Sequence, residues 1–185
     1  MGFGYDRLKQ TGDKGARKKT NNRWFETQDS ISYWEDFFQQ KILWAETMRI
    51  RKENSERFPR FSYTTKPFYT DKTCFIAVGE DLKYVLAFLN STVGRYQLSQ
   101  TVSMMDNGGY LMQKIYIEQI KISTLDQKQK IQLIKLVDSL LDISDDELAE
   151  GFENQIDTII FNSFGIEPHE QKYLNNMLAE PLERA

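Results

Sequence analysis

The chain is poor in the residues that most metal sites and many catalytic sites require. Its 185 residues include one cysteine, Cys74, and one histidine, His169. A single cysteine excludes an intramolecular disulfide, and one cysteine with one histidine cannot supply all the ligands of a structural zinc site. Cys74 lies in the apolar run CFIAV, where we expect a buried thiol. These absences fit a reducing, cytoplasmic location.

Long apolar runs are also missing. No run approaches the roughly 18 residues that are needed to span a bilayer. The N-terminus is polar and basic and lacks the apolar region of a signal peptide. We therefore expect neither export nor association with a membrane.

Catalytic motifs are missing as well. A nuclease needs clustered carboxylates and a lysine around Mg²⁺, but the densest acidic group falls at a junction between helices, where it favours the next helix N-terminus (Asp142, Asp145, Asp146, Glu147, Glu150). The chain has no glycine-rich loop for a phosphate or for S-adenosylmethionine, and no Asn-Pro-Pro-Tyr motif of an adenine methyltransferase. We predict a catalytically silent segment. A small nuclease with an unrecognised acidic site is the remote alternative.

The charge that is present is unevenly distributed. Residues 1–72 hold 15 Lys and Arg against 10 Asp and Glu, which gives +5, whereas residues 73–185 hold 9 against 17, which gives −8. Between Arg7 and Arg23 there are seven basic residues and one acid, Asp13. That density suits contacts with nucleic-acid phosphates, although a solvated tail is an equal alternative on charge alone.

The first half of the chain alternates between short strands and helices. Residues 11–22 lack large apolar side chains and are predicted to form a mobile loop. Ser30 or Ser32 is the expected cap of a helix near Trp34, which leads into a strand ending at Trp44. Aromatic and β-branched residues between 58 and 78 predict short strands, and Asp81 is the expected N-cap of the next helix. That helix should run over 82–89 and end in a polar loop.

The second half is predicted to be helical. Ser123 or Thr124 is the expected cap of a helix with a wide apolar stripe through Leu141. A second apolar face runs from Leu148 to Phe164, and a final short helix follows Pro168. The fold class is therefore α+β: a small mixed sheet with flanking helices, followed by an antiparallel helical unit. The expected divisions are a basic flexible arm (1–22), an α+β region (23–122) and a helical unit (123–185).

Several short motifs resemble those of one protein family. The segment WEDFFQQKILW (34–44) is similar to an aromatic-rich helix that leads into a Lys-Ile strand, and AFLNS (87–91) is similar to a Leu-Asn-Ser helix end. Gly109-Tyr110 and IEQIKI (117–122) match the return to the scaffold, and residues 125–142 resemble a spacer helix. Over residues 23–165 the chain thus resembles the TaqI-like C-terminal specificity domain of restriction-modification enzymes, which is related to the type I specificity subunits.

This resemblance implies a sequence-specific reader of double-stranded DNA, with residues 23–122 as the DNA target recognition domain and residues 123–185 as a helical spacer or docking unit. It would belong to a type IIG restriction endonuclease or a related adenine-specific DNA methyltransferase. S-adenosylmethionine and Mg²⁺ would then belong to the associated catalytic domains, not to this segment. The chain is expected to be a fragment, or to act as a half specificity subunit that pairs through its helices with a methyltransferase or endonuclease subunit. The C-terminal helices also offer a route to a homo-oligomer, and a helical interaction module with incidental DNA binding is the main alternative.

The predicted DNA-binding residues are basic and amide side chains. Arginine suits bidentate recognition of guanine, and asparagine or glutamine suits adenine. The expected base readers lie in a loop over residues 95–110, and the others are expected to hold the DNA backbone. The full set is Lys18, Lys19, Arg23, Arg49, Arg51, Arg57, Arg60, Lys66, Arg95, Gln97, Gln100 and Asn107.

Overall fold

The computed structural model describes residues 33–49, 58–105 and 109–179. Its first element is a short 3-10 helix, Trp34–Phe38, and strand β1 follows at Lys41–Ala45. The prediction of a helix followed by a strand is confirmed here. The loop predicted at 11–22 and the two candidate caps, Ser30 and Ser32, lie outside the described residues.

Six short strands of the described chain form two antiparallel sheets. The first sheet has the order β3-β1-β4 and the second has the order β2-β6-β5. The remaining strands are β2 (Thr47–Arg49), β3 (Ser62–Thr64), β4 (Cys74–Ala77), β5 (Ser103–Met104) and β6 (Gly109–Leu111).

The predicted α+β class is confirmed, and the sheet component differs in detail from the one small mixed sheet expected. The division into two sheets occurs at Glu46, between β1 and β2. The Glu46 N–H donates to the Thr73 carbonyl at 2.8 Å, and the Glu46 carbonyl accepts from the Met112 N–H at 2.8 Å. One residue therefore turns the chain from the first sheet into the second.

Helix α1 (Leu82–Asn90) follows the first sheet and matches the predicted helix. Its apolar stripe is buried at Leu82, Leu86 and Leu89. Asp81 is the N-cap residue, as predicted, but its side chain makes no capping hydrogen bond. Its carboxylate instead accepts from Lys130 Nζ at 2.6 Å.

The prediction of a polar loop after α1 is wrong for Thr92–Thr101. Residues Thr92–Thr101 form a second helix, α2. Ser91 Oγ accepts from the Gly94 N–H at 3.1 Å and caps α2, and Val93 and Leu98 are buried on its inner face. A new cap at Ser91 therefore restarts the helix where the Leu-Asn-Ser motif was expected to end helical structure.

The helical unit forms as predicted, with one change of cap. A short helix α3 (Lys114–Ile117) precedes it. Asp126 caps the next helix in a capping box with Gln129, so the predicted caps Ser123 and Thr124 are wrong. The three long helices are α4 (Gln127–Asp142), α5 (Asp146–Phe164), which is capped by Asp145 and ends at Gly165, and α6 (Pro168–Ala179).

One apolar core joins the sheets to the helices. It includes Ile42 of β1, Phe88 of α1, Leu133 of α4 and Ile160 of α5, all almost fully buried. Helix α4 packs on α1 and α5, and α6 packs on α2, so that residues from Asp36 onward form one compact unit. No helix within the described ranges is long and apolar enough to cross a membrane.

Candidate nucleic-acid interface

The second sheet has one face on the core and one face toward solvent. Across its strands the register pairs Met48 with Tyr110 and Tyr110 with Met104, and directly paired residues lie on the same face. Tyr110 is buried and Met48 packs against the core, so these two side chains face inward, whereas Met104, on the edge strand β5, is 48% exposed. Burial also raises the pKa of the Tyr110 hydroxyl.

The two neighbouring rows must face outward because successive residues of a strand alternate between faces. One row is Thr47, Leu111 and Ser103, and the other begins with Arg49 paired to Gly109. The Met105 N–H donates to the Gly109 carbonyl at 2.7 Å and extends that second row. We call this set the outer face of the second sheet, namely Thr47, Arg49, Ser103, Met105, Gly109 and Leu111.

The outer face combines exposure with several kinds of polar contact. Thr47, Arg49 and Ser103 are exposed, and Met105 is 36% exposed. Ser103 Oγ lies 2.8 Å from the Tyr116 hydroxyl. This surface therefore offers hydroxyl groups, a guanidinium and a thioether side by side.

Two predicted DNA-binding arginines lie elsewhere, in a charged groove. The groove encloses about 310 Å³ between β3, α1, α4 and α5. Arg60 Nη1 is 2.8 Å from Glu153 Oε1, and Arg95 Nε donates to the Phe58 carbonyl at 2.9 Å. Both guanidinium groups are thus engaged by the protein itself.

Asp157 is a largely buried charged group that lines this groove. Its two carboxylate oxygens accept from the Thr92 N–H at 2.8 Å and from Thr92 Oγ1 at 2.6 Å. Burial raises the pKa of the Asp157 carboxyl, while the bonds from Thr92 and the charge of Arg95 act in the opposite direction. The carboxylate therefore fixes the start of α2 to α5.

The predicted amide readers occupy α2 rather than a loop. Gln97 accepts from the Lys121 N–H at 2.8 Å and donates to the Lys121 carbonyl at 3.1 Å, so it ties the 119–123 segment to α2. Gln100 is exposed, and its amide donates to Ser99 Oγ at 3.1 Å.

Lys66 is exposed on the segment after β3. Its carbonyl accepts a 2.9 Å hydrogen bond from the fully buried Lys41. The bond holds the Lys66 backbone in place while its side chain remains at the surface.

The structure does not bring the predicted set together at one place. Arg49 lies on the outer face of the second sheet, Arg60 and Arg95 lie in the groove, and Gln97 holds a backbone segment. Six predicted residues lie outside the described residues: Lys18, Lys19, Arg23, Arg51, Arg57 and Asn107. Their assignment to DNA stays a prediction.

Sequence reasoning missed Thr47, Ser103 and Met105 as parts of a surface. The signal available for Thr47 and Arg49 is the alternation Thr-Met-Arg, in which the middle residue is apolar. The pairing of that strand with residues 109–111 has no local signal. It requires the tertiary register.

The described residues contain no group of three or more His, Cys, Asp or Glu side chains placed to hold a metal ion. Neither the known protein-family profiles nor the curated proteins yield a match to this chain. The functional argument therefore rests on its own residues.

Proposed function

We propose that this chain is a sequence-specific double-stranded DNA recognition module of a restriction-modification system. A partner methyltransferase or endonuclease, as a domain or a subunit, would supply S-adenosylmethionine, Mg²⁺ and the chemistry. The cytoplasm is where such a module meets its DNA. The resemblance described above led to this proposal, and the outer face of the second sheet supports it.

The observation that carries the proposal is the arrangement at one end of that sheet. Strand β2 ends at Arg49, β6 begins at Gly109, and Met105 hydrogen-bonds to Gly109. Two strand ends and Met105 therefore lie together, and the side chains of Arg49 and Met105 are exposed there. A β-ribbon of this kind fits the major groove of B-DNA, where base edges are distinguishable.

The net charge of the helical unit also favours the second sheet as the DNA-binding face. Residues 127–179 carry four lysines and ten Asp or Glu residues, which gives −6. DNA phosphates would be repelled by that surface, so the sheet is the better face for the duplex.

A selection from randomised duplexes at roughly 0.15 M salt tests the proposal, because that salt concentration suppresses non-specific attraction. The full chain should enrich one short motif. Asn107→Ala should relax the motif at one or more positions. Lys135→Ala removes one positive charge from the exposed side of α4 and should leave the motif unchanged. Recovery of random sequence by the wild-type chain contradicts the proposal.

One observation favours a helical interaction module as the second candidate. Leu141, at the end of α4, is 42% exposed, and Leu148, at the start of α5, is 58% exposed. Exposed apolar residues near one helix junction are typical of contact surfaces. Analytical sedimentation of the wild-type chain and of Leu148→Glu tests this candidate. It predicts that the wild-type chain forms an oligomer and that the substitution dissociates it.

A further inference from the structure

This inference rests on the proposed function and makes it specific. We propose that Arg49 is a base-reading residue of the module and that it recognises a guanine in the major groove. The DNA site should therefore contain a G·C pair at a fixed position. Phosphate contact by Arg49 is the competing role.

The arginines of the described chain differ in what they contact. Arg60 pairs with Glu153, and Arg95 donates to the Phe58 carbonyl. The Arg49 side chain makes no hydrogen bond or ion pair with any described residue, and Arg49 is exposed. Among these three, Arg49 alone presents its guanidinium without a described protein acceptor.

The strand position of Arg49 directs its side chain away from the core. Met48, the preceding residue, packs against the core, and side chains alternate along a strand. The residue paired with Arg49 is Gly109, which adds no side chain beside the guanidinium. A side chain on a sheet is also positioned more precisely than one on a loop.

The chemistry of the guanidinium selects the base. Its planar fork presents parallel N–H donors, and guanine presents O6 and N7 as adjacent acceptors in the major groove. No other base offers two acceptors there. One bidentate contact discriminates against a wrong base by about 5- to 150-fold.

The test compares binding specificity and salt dependence for wild-type chain, Arg49→Ala and Arg49→Lys. The wild-type motif should include a G·C pair whose replacement weakens binding by about 5- to 150-fold. Both variants should lose that preference at this one position. Arg49→Lys should keep the wild-type salt slope, because it keeps the charge and loses only the fork.

A different pattern would overturn the inference while leaving the proposed function intact. If Arg49→Ala weakens binding to all duplexes equally, lowers the salt slope by roughly one and keeps the motif, Arg49 contacts a phosphate. If the wild-type chain enriches no motif, the proposed function fails and this inference fails with it. Lys135→Ala is the charge control, and circular dichroism of each variant establishes that it is folded.

Discussion

At the scale of single residues, the groove explains how arginines that were expected on DNA serve the fold. Arg60 and Arg95 lie where Glu153, the Phe58 carbonyl and Asp157 surround them. Because Asp157 is largely buried, the ionisation of its carboxylate affects the free energy of unfolding. A pair of substitutions separates its charge from its hydrogen bonds.

Asp157→Ala should destabilise the protein by about 1–3 kcal/mol, because it leaves the Thr92 donors without their acceptor. Asp157→Asn should cost less, since the amide retains a carbonyl acceptor and Thr92 Oγ1 can accept from the amide nitrogen. Urea unfolding at neutral pH gives both values. Equal losses for the two variants would contradict the role assigned to the hydrogen bonds.

The same residue predicts a direction of pH dependence. Burial raises the pKa of Asp157 above its ordinary value of 3.8 in the folded state, so the folded state binds the proton more tightly than the unfolded state. Its contribution to stability is therefore most favourable below pH 3.8 and falls as the pH rises through the folded-state pKa. The stability of Asp157→Asn relative to wild type should rise over that range. If the difference in stability between Asp157→Asn and wild type does not change with pH, the predicted role of Asp157 ionisation is wrong.

Gln97 was expected to read DNA bases from a loop, but it lies on α2. Its amide bonds both backbone groups of Lys121. Gln97→Ala should lower the free energy of unfolding by about 1 kcal/mol, whereas Gln100→Ala, at an exposed position on the same helix, should change it little. Chemical denaturation of the two variants measures the difference, and equal stabilities would show that the Lys121 contacts contribute nothing.

At the scale of elements, α1 and α2 approach each other closely at their junction. A Cβ placed on Gly94, in the first turn of α2, would clash with the Phe88 carbonyl oxygen, so this position requires glycine. Gly151 lies within α5, and a Cβ there meets nothing within 4 Å. The two glycines form a matched pair.

Gly94→Ala should therefore be strongly destabilising, because backbone must move to accept the methyl group. Gly151→Ala should stabilise by about 0.5–1 kcal/mol, because alanine favours the helix and nothing opposes it. Thermal unfolding of both variants checks the prediction by opposite shifts in Tm. Shifts of the same sign would be inconsistent with the described packing.

The elements also show what the sequence reveals about the fold. Helices α1, α4 and α5 carry regular apolar stripes and were predicted from them, and α6 was predicted from Pro168 at its start. Helix α2 was missed because it buries few large apolar side chains, Val93 and Leu98, and because its cap at Ser91 coincides with the end of α1. The turn at Glu46 was missed because its hydrogen bonds reach residues far away in the chain.

The same reasoning applies to the candidate interface. Arg49 was predicted from its residue type, but its neighbours on the outer face of the second sheet come from β5 and β6, more than fifty residues later. Local patterns contain no information about that register. Arg95 and Gln97 were expected in a loop because α2 was not recognised.

At the scale of the whole molecule, the shared core predicts cooperative unfolding of sheets and helices. Trp44 of β1 is 6% exposed, and its indole N–H donates to the Met112 carbonyl at 2.8 Å. In a Trp24→Phe, Trp34→Phe variant, Trp44 fluorescence reports on the sheets while far-ultraviolet circular dichroism reports on the helices. The two urea transitions should coincide. Separate midpoints would show that residues 123–185 unfold on their own.

The central claim is that this molecule distinguishes one DNA sequence from others. The most direct measurement is the Kd of the full chain for its selected duplex and for a shuffled duplex of the same composition, at roughly 0.15 M salt. We predict a ratio of at least about 10³ in favour of the selected duplex. Equal dissociation constants for the two duplexes would contradict the claim, because charge attraction alone would then account for the binding.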